Sequence, residues 1–185
     1  MKENTHSRNH VFILTSTALM TAVMCILGPL SVPVGPVPIS LTNLAIYLTL
    51  YVLDCKRSLI AYLIYLLIGC AGVPVFSAFT GGVQKLAGPT GGYLTGFILM
   101  ILVAGSVIDK FWNSRIICIL AMEAATWICY LTGTLWLSFS ADMSFQAALA
   151  AGVLPFILVD LIKILIAACI GPVLKKRLTD AHLTL

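Results

Sequence analysis

Residues 153–170 read Val-Leu-Pro-Phe-Ile-Leu-Val-Asp-Leu-Ile-Lys-Ile-Leu-Ile-Ala-Ala-Cys-Ile. A run of this length and apolarity is a candidate membrane helix. Asp160 and Lys163 stand in its middle. On insertion scales an acid or a lysine at a helix centre costs about 2.5–3.5 kcal/mol, so two left uncompensated cost about 5–7 kcal/mol. A chain that keeps both either pairs them or uses them. The i,i+3 spacing places both on one helix face, within reach of each other. Ionisable residues inside a membrane point to a functional site.

Composition supports a membrane fold. Apolar and aromatic residues make up 60% of the 185 residues, charged residues 10%, and the mean hydropathy is +1.05. Soluble domains carry about 25% charged residues. At about 20 residues per crossing, the chain accommodates a single all-α, polytopic domain of six transmembrane helices. The segments are about 11–30, 40–54, 57–73, 91–109, 115–135 and 147–174. The first apolar run leads into Gly28-Pro29-Leu30-Ser31-Val32-Pro33 rather than a small-residue cleavage site, so it reads as a span and not as a signal peptide. The six cysteines are scattered through apolar runs with no CxxC or Cys/His cluster, which gives no expectation of a metal site or a disulfide framework. His6, His10 and His182 fall in the tails. No convincing internal repeat supports an inverted-repeat carrier.

The basic residues set the orientation. Lys2, Arg8, Lys56, Arg57, Lys110, Arg115, Lys175, Lys176 and Arg177 fall on one side if the span count is even; only Lys85 falls in a loop on the other. This asymmetry puts both termini in the cytoplasm. Asp160 then lies about 22 Å, and Lys163 about 18 Å, along the helix from Lys175 at 1.5 Å per residue. Both are in the outer half of a hydrocarbon core of about 30 Å.

Two outer loops share that side. The first, Gly28 to Ser40, is stiffened by prolines along an extended path. The second, Gly72 to Tyr93, is long and apolar and holds two Gly-Gly pairs, unlike a solvated linker. It is expected to pack against protein or dip into the membrane, with glycine amides as ligand donors. Phe76, Phe79 and Tyr93 are candidate apolar walls. Gly91-Gly92 opens a helix whose amino terminus faces outward, a favourable place for an anion. Glu123, a further intramembrane acid nearer the inner side, reads as hydrogen-bonded and structural, and Asp54, Asp109 and Asp142 read as solvated. In the first span, Ala18 and Ala22 stand four apart, a spacing that permits close helix approach in lipid, either within the bundle or against another molecule.

Six stretches together carry a resemblance: Ala18-Leu-Met-Thr-Ala22, Gly35-Pro-Val-Pro-Ile-Ser40, Gly72-Val-Pro-Val-Phe-Ser77, Gly88-Pro-Thr-Gly-Gly-Tyr-Leu-Thr-Gly-Phe97, Tyr130-Leu-Thr-Gly-Thr-Leu-Trp-Leu137 and Asp160-Leu-Ile-Lys163. The chain resembles the BioY family, the biotin-binding S components of energy-coupling-factor (ECF) vitamin transporters. The resemblance implies a multi-pass plasma-membrane protein that captures biotin from outside. Its partners would be a membrane T component, docked in part through Ala18 and Ala22, and two ATPase subunits. No catalysis, metal or cofactor of its own is expected. The chain has no GxxxxGK[ST] phosphate loop, so the ATPase must be another protein.

Biotin carries a ureido ring with two N–H donors and a carbonyl, an apolar thioether ring and a carboxylate. The expected site places Asp160 as acceptor of a ureido N–H, with Lys163 either donating to the ureido oxygen or holding Asp160 ionised. Phe79 and Tyr93 flank the rings, and Asn43, Gln84 and loop amides such as that of Gly82 meet the remaining polar groups. A reversed pose gives the carboxylate to Lys163. The alternatives are an S component for another vitamin, a self-sufficient proton-coupled carrier using Asp160 and Glu123, and an intramembrane acid–base enzyme, for which no HExxH or GxSxG motif exists.

Overall fold

The computed structural model describes residues 2–181, with side chains from residue 11 onward; His182, and the side chains of His6 and His10, lie outside that description. In chain order the elements are α1 (Lys2–Leu27), β1 (Ser31–Val32), β2 (Ile39–Ser40), α2 (Thr42–Val52), α3 (Cys55–Cys70), α4 (Gln84–Ala87), α5 (Gly91–Phe111), α6 (Arg115–Ser140), α7 (Phe145–Gly152) and α8 (Leu154–Asp180). The protein is all-α but for one short hairpin. By length and apolarity alone, α5, α6 and the combined stretch of α7 and α8 suffice to cross a membrane, while Val11–Leu27 and Thr42–Val52 are shorter apolar helices.

Small residues let α5 and α6 lie against each other. A Cβ on Gly92 would sit 2.8 Å from the Thr132 carbonyl oxygen and collide with Trp136, and one on Gly133 would strike the Tyr93 ring. Such close approach suits lipid, where packing rather than the hydrophobic effect holds helices together. The interior is rich in tyrosine: Tyr47, Tyr51, Tyr62 and Tyr65 are fully buried. Tyr62 donates to the Leu94 carbonyl at 2.7 Å and Tyr65 to that of Val75 at 3.1 Å, as most buried hydroxyls do, while the Tyr51 hydroxyl has no partner among the described residues.

Between α2 and α3 a tight turn is built on Asp54. Its carboxylate accepts from the Arg57 amide at 2.8 Å, capping α3, and pairs with the Arg57 guanidinium at 3.0 Å. Asp109 accepts from the Cys55 amide at 3.0 Å. These two acids therefore hold the turn in place instead of being merely solvated; Asp142 is exposed.

The stretch read as one span over 147–174 is two helices. Gly152 ends α7, Val153 leaves helical geometry at φ −127° and ψ −54°, and Pro155 lies in the first turn of α8. Proline has no N–H, so it fits a helix start and interrupts a continuous hydrogen-bond ladder. Tyr93 ties the break down by donating to the Gly152 carbonyl at 3.0 Å.

Both outer loops are ordered structures. The first contains the β1–β2 hairpin, with Ser31 opposite Ser40 and Val32 opposite Ile39. The second buries Val75 and Phe76 and closes on itself through a Phe76–Thr80 bridge. They are joined at Ala78, whose amide donates to Ser31 Oγ at 2.8 Å and to the Pro29 carbonyl at 3.2 Å.

Candidate ligand-binding site

Asp160 and Lys163 are each only 5% exposed. They face a cavity between α2, α5, α6 and α8, beneath the joined outer loops. Lys163 Nζ donates to Asp160 Oδ1 at 2.9 Å, to Asn43 Oδ1 at 2.9 Å and to the Ser40 carbonyl at 2.7 Å. An ammonium has three donors, and all three are engaged. Tyr130 donates to Asp160 Oδ2 at 2.7 Å. A carboxylate has about four lone-pair sites, so Asp160 retains acceptor capacity after these two bonds. The pair is thus braced from three elements: the hairpin through Ser40, α2 through Asn43 and α6 through Tyr130.

The rest of the lining suits a small amphipathic molecule. Phe97, Met100, Leu94 and Phe156 offer apolar surface, while Thr42, Ser77, Thr90 and Thr126 bring hydroxyls. Thr126 is hydrogen-bonded to Tyr47. Asp160 and Lys163 are the charged residues of the lining, so their charges balance.

Of the seven ligand residues expected from sequence, Asp160, Lys163, Asn43 and Tyr93 line this one cavity. Phe79, Gly82 and Gln84 do not. Phe79 is 66% exposed and lies at φ 54° beside Ala78 at φ 61°. Gly82 has φ +93°, and its amide is taken by the Gly69 carbonyl at 2.7 Å. Gln84 is exposed at the start of α4. In that same helix, partial burial holds the Lys85 ammonium below its ordinary pKa. Glu123 is outside the cavity and accepts from Trp127 Nε1 at 3.1 Å.

Sequence reasoning missed Tyr130, Ser40 and Thr126. Tyr130 opens the Tyr130–Leu137 stretch and Ser40 closes the Gly35–Ser40 stretch, so both stood inside motifs already singled out. Nothing local marks Thr126.

Ala18 and Ala22 are exposed, while Thr17, Met20, Thr21 and Met24 of the same helix are buried. The two alanines line a surface groove between α1 and α3, with Ile60, Ile64 and Ile68 opposite and Asp54, Lys56 and Arg57 also in its lining. Among the described residues no cluster of His, Cys, Asp or Glu has the makings of a metal site.

Comparison with known proteins gives a consistent result. The BioY family model matches residues 1–180. A protein named biotin transporter BioY2 from Lactococcus lactis is 34% identical over 172 residues, covering 93% of this chain and 94% of that protein. Biotin transporter BioY from Thermotoga maritima is 39% identical over 163 residues, covering 88% and 95%. The crystal structure of the S-component for biotin from an ECF-type ABC transporter superposes with a TM-score of 0.81 at 29% identity, covering 91% of this chain and 93% of that one. The chain belongs to the BioY family.

Proposed function

We propose that this chain is the biotin-binding S component of an ATP-driven ECF-type vitamin transporter. It sits in the plasma membrane with both termini in the cytoplasm and captures biotin from outside. A T component and two ATPase subunits then deliver the vitamin inward. The observation that carries the reading is the buried Asp160–Lys163 pair, held in a cavity beneath the outer loops with acceptor capacity to spare on Asp160. Membership of the family and the likeness to a biotin S component support it.

Donor counting favours one pose. Lys163 can meet a ligand only by releasing Asp160, Asn43 or Ser40. Asp160 can accept a ureido N–H with its present bonds intact. Lys163 therefore braces and neutralises Asp160, which receives the ureido head in a charge-assisted bond. Tyr93, Phe97 and Phe156 flank the ring system, and threonine hydroxyls nearer the loops meet the carboxylate. The reversed pose would bring a second carboxylate toward Asp160, a like-charge contact at low dielectric.

Biotin methyl ester tests this directly. With the ureido head on Asp160, the ester binds within about tenfold of biotin, since it loses only hydrogen bonds to neutral donors. Loss of several orders of magnitude would assign the carboxylate to Lys163. The proton-coupled reading gains no support, because Glu123 is separated from the cavity and bound to Trp127.

A further inference from the structure

We propose that the cleft between the α5–α6 turn, the start of α6 and the carboxyl end of α8 binds the head group of an anionic glycerophospholipid of the inner leaflet. Arg115, Lys176, Arg177 and Asp180 line it together with the apolar Trp112, Pro172 and Val173. Its volume is about 380 Å³, ample for a phosphodiester. Three of its residues are cationic and one is acidic. Among the described residues none of the three cations makes an ion pair, the salt bridges being Arg57–Asp54 and Lys163–Asp160. The first turn of α6 begins at Arg115, and its N-cap residue Ser114 makes no side-chain cap bond, which adds the positive end of a helix to the same cleft.

The apolar members decide the kind of anion. A soluble phosphate needs charge and amides only. Trp112, Pro172 and Val173 add an apolar wall at the level where a membrane passes into water, and tryptophan favours that level. A head group tethered to acyl chains meets both halves of such a site. Basic clefts between helices on the cytoplasmic side are a recognised form of lipid recognition. The positive-inside tendency accounts for basic residues on this face, yet it does not require them to converge on a cleft. The inference rests on the cytoplasmic placement of the carboxyl end and is independent of which vitamin the chain binds.

The test is native mass spectrometry of the full chain released from detergent with added phosphatidylglycerol, alongside phosphatidylcholine. Phosphatidylglycerol is expected to be retained in preference to phosphatidylcholine. Arg115→Gln with Lys176→Gln should lower that retention about 30-fold, two charges each contributing near the surface. Lys176→Gln alone should lower it about fivefold. Lys110→Gln with Lys175→Gln removes equal charge from the same side outside the cleft, and should change retention by less than about twofold. Biotin binding should persist in every variant, reporting an intact fold. The proposal is overturned if the two double variants lose lipid equally, if neither does, or if excess inorganic phosphate displaces the lipid as readily as free phosphatidylglycerol.

Discussion

Asp160 and Lys163 hold each other in place, and the consequences of removing one differ from those of removing both. Lys163→Met leaves a buried carboxylate without its cation and releases Ser40 and Asn43. Breaking a buried pair from one side costs about 3–5 kcal/mol, whereas replacing both members costs far less. Thermal unfolding in detergent should therefore show Lys163→Met melting below the double variant carrying Asp160→Asn as well. Both should lose biotin. Tyr130→Phe removes only the bond to Asp160 Oδ2. A hydrogen bond to a charged group contributes about 1.5–3 kcal/mol to stability, and this one is made with or without ligand, so Tyr130→Phe should lower the melting temperature in detergent while the dissociation constant for biotin rises less than about tenfold by calorimetric titration. An unchanged melting temperature would show that Tyr130 does not brace Asp160. Phe79 behaves differently: exposed and outside the cavity, it should tolerate Phe79→Ala with less than about twofold change in affinity.

The pairing of α5 with α6 positions Tyr93 on the cavity and, through its hydroxyl, the break between α7 and α8. A methyl group at position 133 would fall on the Tyr93 ring. Gly133→Ala should both lower the melting temperature and weaken biotin binding, because the ring must leave its place. A variant that melts earlier but binds as before would show that Tyr93 is structural only. The helices themselves were legible from apolar run length, and the charged pair from its cost in lipid. The break at Gly152–Val153 was not read, although Gly152 and Pro155 are stop and start signals. Uniform hydropathy on both sides of the break hid it. The walls of the cavity were only half legible for a related reason. Phe79, Gly82 and Gln84 were placed there by their loop, but two successive left-handed residues, Ala78 and Phe79, turn that loop outward. Such a backbone reversal has no simple counterpart in residue type. Tyr130 shows the converse, since its partner Asp160 is 30 residues away and no local pattern joins them.

At the scale of the whole bundle, the cavity proposed for the ligand and the groove of α1 and α3 have no residue in common. Ala18 and Ala22 are exposed in that groove, where a helix from another protein can approach closely. Replacing both with Trp should leave biotin binding by the isolated chain within about twofold, since neither residue lines the cavity. ATP-driven uptake with the T component and ATPases reconstituted in liposomes should fall to background. Retained uptake would exclude this face as the docking surface. The most direct measurement is mass spectrometry of the small molecule that copurifies with the full chain expressed in medium containing biotin, repeated with Asp160→Asn. Biotin is expected at near one per chain in the wild type and is expected to be lost from the variant. A wild-type protein that carries no biotin, or a folded Asp160→Asn variant that carries as much, would contradict the proposed function.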